Sequence, residues 1–139
     1  MIYLKGQATP YLTFSGNAKE ALDFYAEAFQ AKIQGLQTFG EADYPTPPEA
    51  ANRVMHARLG KDDFLIMISD TFPGQEVKLG NQISLALTFE SKEEIRSVYE
   101  KLQQEGTIQM ELQDTFWGST YAMVQDKFGV IWQLDCPNK

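Results

Sequence analysis

One cysteine, one histidine, no G-x-G triplet and no apolar run of membrane length are the first things to notice in this 139-residue chain. A lone Cys136 cannot close an intramolecular disulfide, which fits a reducing compartment. A lone His56 cannot supply a histidine cluster for a transition metal. Basic residues are scarce too: 12 Lys and Arg stand against 19 Asp and Glu, a formal net charge of −7. A chain of that sign has little to offer the nucleic-acid backbone or an anionic membrane surface. The longest wholly apolar run, Phe64 to Ile68, is far short of the roughly 20 residues of a spanning helix. The opening MIYLKGQATP lacks the charged-then-apolar pattern of a secretory leader. The expectation is a cytoplasmic, soluble protein that partners neither nucleic acid nor membrane.

What is present is ordinary globular material, 43% hydrophobic and 22% charged, enough for one domain with a proper interior. Residues 8–14 read as a strand, with Pro10 at its beginning because it has no N–H to donate. Asn17, with Glu20 three residues on, reads as a capping box. The apolar stripe Ala18, Ala21, Leu22, Tyr25, Ala28 and Phe29 then predicts a helix to about Gln30. A possible strand, 32–39, is interrupted by Gly35. Residues 40–51 carry three prolines and three acids and read as a loop, either an exposed insertion or a lid. A strand from Arg53 to Leu59 turns through 60–63 into a partner, Phe64 to Ser69. After a linker over 71–80, the strand 82–89 leads to Ser91 and Glu94, a second capping box. Ile95, Val98, Tyr99 and Leu102 give the second helical stripe, and Gly106 suits its C′ position. A strand over 108–112 follows. Last comes a hairpin, TYAMVQ and VIWQLD, whose turn reads Asp126-Lys127-Phe128-Gly129.

The second half repeats the first. Leu12-Thr13-Phe14 recurs 75 residues later as Leu87-Thr88-Phe89, and the caps Asn17 and Ser91 are 74 apart, as are Tyr25 and Tyr99. The hairpin Val54–Asp70 matches Tyr121–Asp135, with Asp70 and Asp135 ending corresponding strands. Each half is strand–helix–strand–strand–strand. The fold class is therefore α+β: two βαβββ modules, about 1–74 and 80–139, forming a curved mixed sheet round a shared cleft.

Thr9-Pro10-Tyr11-Leu12 with Phe14, Gly16-Asn17, Phe24-Tyr25, Met55-His56-Ala57, Met67-Ile68-Ser69-Asp70, Phe116-Trp117-Gly118 and Asp126 to Val130 with Trp132 carry a resemblance over essentially the whole chain. In combination they resemble the PhnB-like branch of the vicinal oxygen chelate superfamily, whose members are often labelled 3-demethylubiquinone 3-methyltransferase-like. The resemblance implies a homodimer. It also implies metal-ligand positions on the first and last strand of each module. These fall here at Thr9 or Pro10, Met67 or Ile68, Ser84 and Gln133, which lack the His and carboxylate donors that Zn²⁺, Ni²⁺ or Fe²⁺ wants. An S-adenosylmethionine site wants a Gly-rich strand–helix turn, and Ser15-Gly16-Asn17 is too short for one.

Alternation puts His56 and Arg58 on one strand face with Val54, opposite Met55, Ala57 and Leu59. His56 is either a general base or ligand contact, or a structural histidine. Trp117 and Tyr121 are cavity walls for a flat ligand, or core and interface residues. Gln133 and, more weakly, Ser84 and Met67 face the proposed cup. Trp132 alternates with Gln133 and is core. Asp126 and Lys127 read as turn residues, and Cys136 as inert. The function expected is binding of a small apolar or aromatic molecule through His56, Arg58, Met67, Ser84, Trp117, Tyr121 and Gln133, with no metal cofactor. The alternatives are a divalent-metal enzyme of glyoxalase, dioxygenase or thiol-transferase type, and a metal-free enzyme with His56 as base.

Overall fold

The computed structural model describes residues 1–42 and 45–138. Asp43 and Tyr44, in the loop read over 40–51, and Lys139 lie outside the described residues. The chain forms two compact units, Met1–Val77 and Lys78–Lys139. The first contains β1 (Tyr11–Phe14), α1 (Ala18–Phe29), β2 (Lys32–Thr38), β3 (Val54–Lys61) and β4 (Phe64–Asp70). The second contains β5 (Leu85–Thr88), α2 (Lys92–Leu102), β6 (Thr107–Asp114), β7 (Ser119–Gln125) and β8 (Ile131–Pro137). Among the described residues each unit is thus a βαβββ module with one four-stranded mixed sheet, ordered β1-β4-β3-β2 or β5-β8-β7-β6. The parallel pairs are β1 with β4 and β5 with β8; the other pairs are antiparallel. No helix of the described residues is long and apolar enough to cross a membrane.

One face of each sheet is covered by its helix. In unit 1, Ala18, Ala21, Leu22 and Tyr25 of α1 are fully buried, as are Ala57 and Leu59 of β3 and Ile68 of β4. α1 packs on β2, β3 and β4. In unit 2, Ile95 and Leu102 of α2 are buried with Ala122, Val124, Trp132 and Leu134, and α2 packs on β7 and β8. Burying each large aliphatic side chain contributes about 1.5–3 kcal/mol. The alternating residues between them point to the opposite, open face.

Local chemistry departs from the sequence reading at several points. β1 begins at Tyr11, and Pro10 contributes only its carbonyl, which accepts from Met67 N. Gly35 sits in a bulge between Gln34 and Gln37, so β2 bends there and continues. The loop after β2 is zipped at its root by Phe39 N to Arg53 O and Gly40 N to Ala51 O, and Pro48–Ala50 form a 3₁₀ turn that buries Ala50.

Ser91 caps α2 as expected, its hydroxyl accepting from Glu94 N, but Glu94 returns the contact to that hydroxyl, which donates to its Oε1, and not to the Ser91 backbone N–H of a full capping box. The cap expected at Asn17 does not form, for the Asn17 side chain makes no cap hydrogen bond. Asp70, at the end of β4, takes its place. Its Oδ1 accepts from Gly16 N at 2.8 Å and Ala18 N at 2.9 Å, while Oδ2 accepts from Val54 N at 2.8 Å. A carboxylate at the positive end of a helix outcompetes a neutral amide cap. Gly106 is not the C′ residue either. Glu105 takes the left-handed conformation, φ 57°, and Gly106 is glycine because a Cβ there would strike the Gln125 carbonyl oxygen.

Asp126 is likewise more than a turn residue. It is buried, its Oδ1 accepting from Phe128 N and Val130 N and its Oδ2 from the indole Nε1 of Trp132 at 2.9 Å. Gly129, φ +92°, completes the turn with N–H to Asp126 O.

The strand pairs also correct the internal repeat by one residue. Leu12 pairs with Ile68, and its counterpart Leu87 pairs with Leu134. Ile68 therefore matches Leu134, and Asp70 matches Cys136, not Asp135. A one-residue slip exchanges faces: Asp70 turns to the helix, whereas Asp135 is on the open face with Gln133. Ala57 pairs with Ile68 and Ala122 with Leu134, so His56 corresponds to Tyr121 and Met67 to Gln133.

Candidate functional site

The open face of unit 2 brings three of the sequence candidates into one hydrogen-bonded chain. Gln133 on β8 and Tyr121 on β7 lie on the same face because each alternates with buried neighbours, Trp132 and Leu134 or Thr120 and Ala122. The Tyr121 hydroxyl donates to Gln133 Oε1 at 2.6 Å, and Gln133 Nε2 donates to Ser84 Oγ at 2.7 Å. Ser84, just before β5, is half-buried. Trp117, in the β6–β7 connection, sets its edge to Tyr121 with ring centroids 5.7 Å apart, and Phe116 stands edge-on to Trp117 at 5.0 Å. Trp117 is 52% exposed and Phe116 96%, so these rings are not core. Together they form an aromatic flank beside a polar chain.

Asp135, which the sequence reading passed over, belongs to the same face and pairs directly across from Tyr121. Its period-two spacing from Gln133 was the available signal. Desolvation, and then the Asp135 charge, hold the Tyr121 phenol above the ordinary tyrosine range. The protonated form is favoured in the fold, so this contribution to stability is fully present below the unfolded tyrosine pKa. It is lost as pH rises through the higher folded value. A spectrophotometric titration of phenolate absorbance should lose one late-ionising tyrosine in Tyr121→Phe; identical curves would remove this assignment.

In unit 1 the open face carries His56 and Arg58 on β3, Met67 on β4 and Tyr11 on β1. Arg58 lies between Gln34 and Met67, and Met67 pairs with Tyr11. His56 Nδ1 and the Tyr11 hydroxyl are 3.1 Å apart, with ring centroids at 5.8 Å. With Tyr11 donating, the ring proton sits on Nε2 and His56 offers a donor; with the roles reversed, Nε2 offers a base. Arg58 is exposed and Met67 half-buried. Val54, expected on the His56 face, is instead buried at the irregular end of β3, where the pairing register shifts. Tyr11 escaped the sequence reading because its partner is 45 residues away.

The metal positions that the resemblance implies can be tested by their chemistry. Ile68 is fully buried on the helix side, which leaves Met67 as the open-face residue of β4. The set is then Thr9 or Pro10, Met67, Ser84 and Gln133: hydroxyls, a thioether and an amide already engaged at both ends. This donor set does not fit Zn²⁺, Ni²⁺ or Fe²⁺. Among the described residues no group of three or more His, Cys, Asp and Glu is placed to hold a metal. Cys136 is buried and free.

Away from this face, a hollow of about 340 Å³ lies between α2 and β6, lined by Lys92, Arg96, Tyr99, Glu100, Asp114 and Thr120 among others. Thr120, donating to Asp114 at 2.8 Å, and then Lys92 hold the Asp114 carboxyl below the usual carboxylate range.

Comparisons with known proteins agree over nearly the full length. A family model described as 3-demethylubiquinone-9 3-methyltransferase matches residues 6–135. A protein of known crystal structure from Pseudomonas aeruginosa is 33% identical, with a TM-score of 0.85, over 97% of this chain and 100% of that one. A Bacillus cereus PhnB protein, described as a 3-demethylubiquinone-9 3-methyltransferase, is 30% identical with a TM-score of 0.78, over 94% and 99% of the two chains. A glyoxylase/bleomycin resistance protein/dioxygenase domain from Frankia shares the fold, with a TM-score of 0.71 at 14% identity over 99% and 95%.

Proposed function

The chain belongs to the PhnB-like branch of the vicinal oxygen chelate superfamily, and from that premise we propose that it binds a small apolar or aromatic molecule without a catalytic metal. The observation that carries this reading is the exposed aromatic flank of Trp117 beside Tyr121, set against the Tyr121–Gln133–Ser84 chain. Flat rings with satisfied polar tips give a ligand stacking area and a few oriented hydrogen bonds, which is how small-molecule sites combine affinity and specificity. The methyltransferase description given to relatives finds no support in a cofactor loop here. The strand–helix turns are short, and the Asp70 carboxylate already holds the first N–H groups of α1.

The test is a titration with a flat hydrocarbon, 2-ethylnaphthalene, measured by equilibrium dialysis, which needs no reporter on the protein. Saturable binding is expected, weakened about tenfold or more in Trp117→Ala, the loss of one good aromatic contact. Absence of saturable binding by aromatic probes would refute the reading.

We also propose that the protein works as a cytoplasmic homodimer. In support, β6 is a sheet edge with Ile108 and Met110 about two-fifths exposed, and an uncovered edge invites pairing. Light scattering should give twice the 15.7 kDa chain mass; a single species at the chain mass would contradict it.

A further inference from the structure

We infer that the molecule held on the open face of unit 2 is a neutral compound whose hydrogen-bond acceptor, a ketone or similar carbonyl oxygen, meets the hydroxyl proton of Ser84; this rests on the reading proposed above. The chain of hydrogen bonds has a direction. At 2.6 Å the Tyr121–Gln133 contact is too short for a typical N–H···O bond and normal for O–H···O. The oxygen of the Gln133 amide therefore faces Tyr121, and the phenol donates to it. The amide nitrogen must then face Ser84, where it donates at 2.7 Å. A serine oxygen that accepts from the amide must send its own proton elsewhere. Among the described residues no acceptor takes that proton.

The phenol's preference for its protonated form keeps the direction fixed across the working pH range. A half-buried donor lacking a protein acceptor is a specificity element, because a ligand that cannot accept leaves it unsatisfied. Asp135 sets the sign. It adds negative charge to this face directly across from Tyr121, which disfavours a carboxylate or phosphate as the acceptor. The aromatic flank of Trp117 and Tyr121 asks for an apolar body next to the carbonyl. The class is then an uncharged apolar or aromatic carbonyl compound.

The pair 2-acetylnaphthalene and 2-ethylnaphthalene tests this, since the two share a carbon skeleton and the ketone carries an acceptor oxygen in place of the two methylene hydrogens. On the wild-type protein the ketone should bind about fivefold tighter, the worth of one net neutral hydrogen bond. Ser84→Ala should erase that preference, the ratio of the two affinities falling from about five to about one. Ser84→Thr, which keeps the hydroxyl, should retain the preference. Equal affinities on the wild-type protein, or a preference that survives Ser84→Ala, would overturn the inference while leaving binding of the hydrocarbon standing. Failure of both compounds to bind would overturn the inference together with the reading it rests on. Tighter binding of 2-naphthoate than of the ketone would overturn the assignment to a neutral ligand.

Discussion

Asp70→Ala should lower the unfolding free energy by about 3–5 kcal/mol, the range for breaking a buried, charged hydrogen-bond network. The carboxylate is 5% exposed and accepts from three backbone N–H groups belonging to two separate stretches of chain. Gly16 and Ala18 bring the start of α1, and Val54 brings the start of β3. Removing the acceptor leaves these donors without it, in places where water can replace it only in part. The helix start also loses the negative charge that its dipole favours. Asp70→Asn keeps one oxygen but turns an NH₂ group towards a donor, so it should cost more than half as much as alanine. Asn17→Ala, at the position that the sequence marks as the cap, should cost less than about 0.5 kcal/mol because its side chain caps nothing. Urea unfolding followed by far-ultraviolet circular dichroism measures all three. A loss below about 1 kcal/mol for Asp70→Ala would remove the residue from its assigned role.

Trp132→Ala should cost about 3–5 kcal/mol, as large-to-small changes at buried aromatic positions do. The ring is fully buried among Ala122, Val124 and Leu134, and its indole N–H is bonded to Asp126. Trp132→Phe separates the two contributions. It keeps most of the apolar volume and loses the donor, and should cost about 1–2 kcal/mol. If the Asp126–Trp132 bond ties the β7–β8 turn to the core, the double variant with Asp126→Ala will be less unstable than the sum of the single changes, by about 1 kcal/mol. Additive losses would show the turn and the indole to be independent.

Both predictions concern residues whose roles the sequence understates. Asp126 stands in a D-K-F-G turn, and a turn aspartate needs no tertiary explanation. Asp70 ends a strand, where a polar residue is unremarkable. Nothing within four residues of either one announces a buried carboxylate. By contrast, the helices, the hairpins and their order were legible. A stripe such as Ala18, Ala21, Leu22 and Tyr25 depends only on a period of 3.6 residues. Alternation along β7 and β8 depends only on a period of two. The same alternation gave Gln133 and Trp132 opposite faces, and the structure has Gln133 half-buried and Trp132 inside. The doubled βαβββ plan and the resemblance to the vicinal oxygen chelate superfamily followed from these local patterns taken in order.

Pairing was not legible, because register is a relation between distant stretches. The repeat read from the sequence aligned Asp70 with Asp135, an error of one residue that interchanges helix side and open side. Tyr11 and His56 are 45 residues apart, and Ser84 and Gln133 are 49 apart. Ser84 and Gln133 each entered the candidate set by position, with no sign that one donates to the other. The sequence by itself determined which side chains are available on each element and which of them share a face, since covalent geometry fixes those periods. Only the tertiary structure decided which carboxylate caps α1, which strand residues lie side by side, and in which direction the Tyr121–Gln133–Ser84 bonds run. Those depend on strand register and on distances of a few ångströms between segments that the chain itself leaves unconnected.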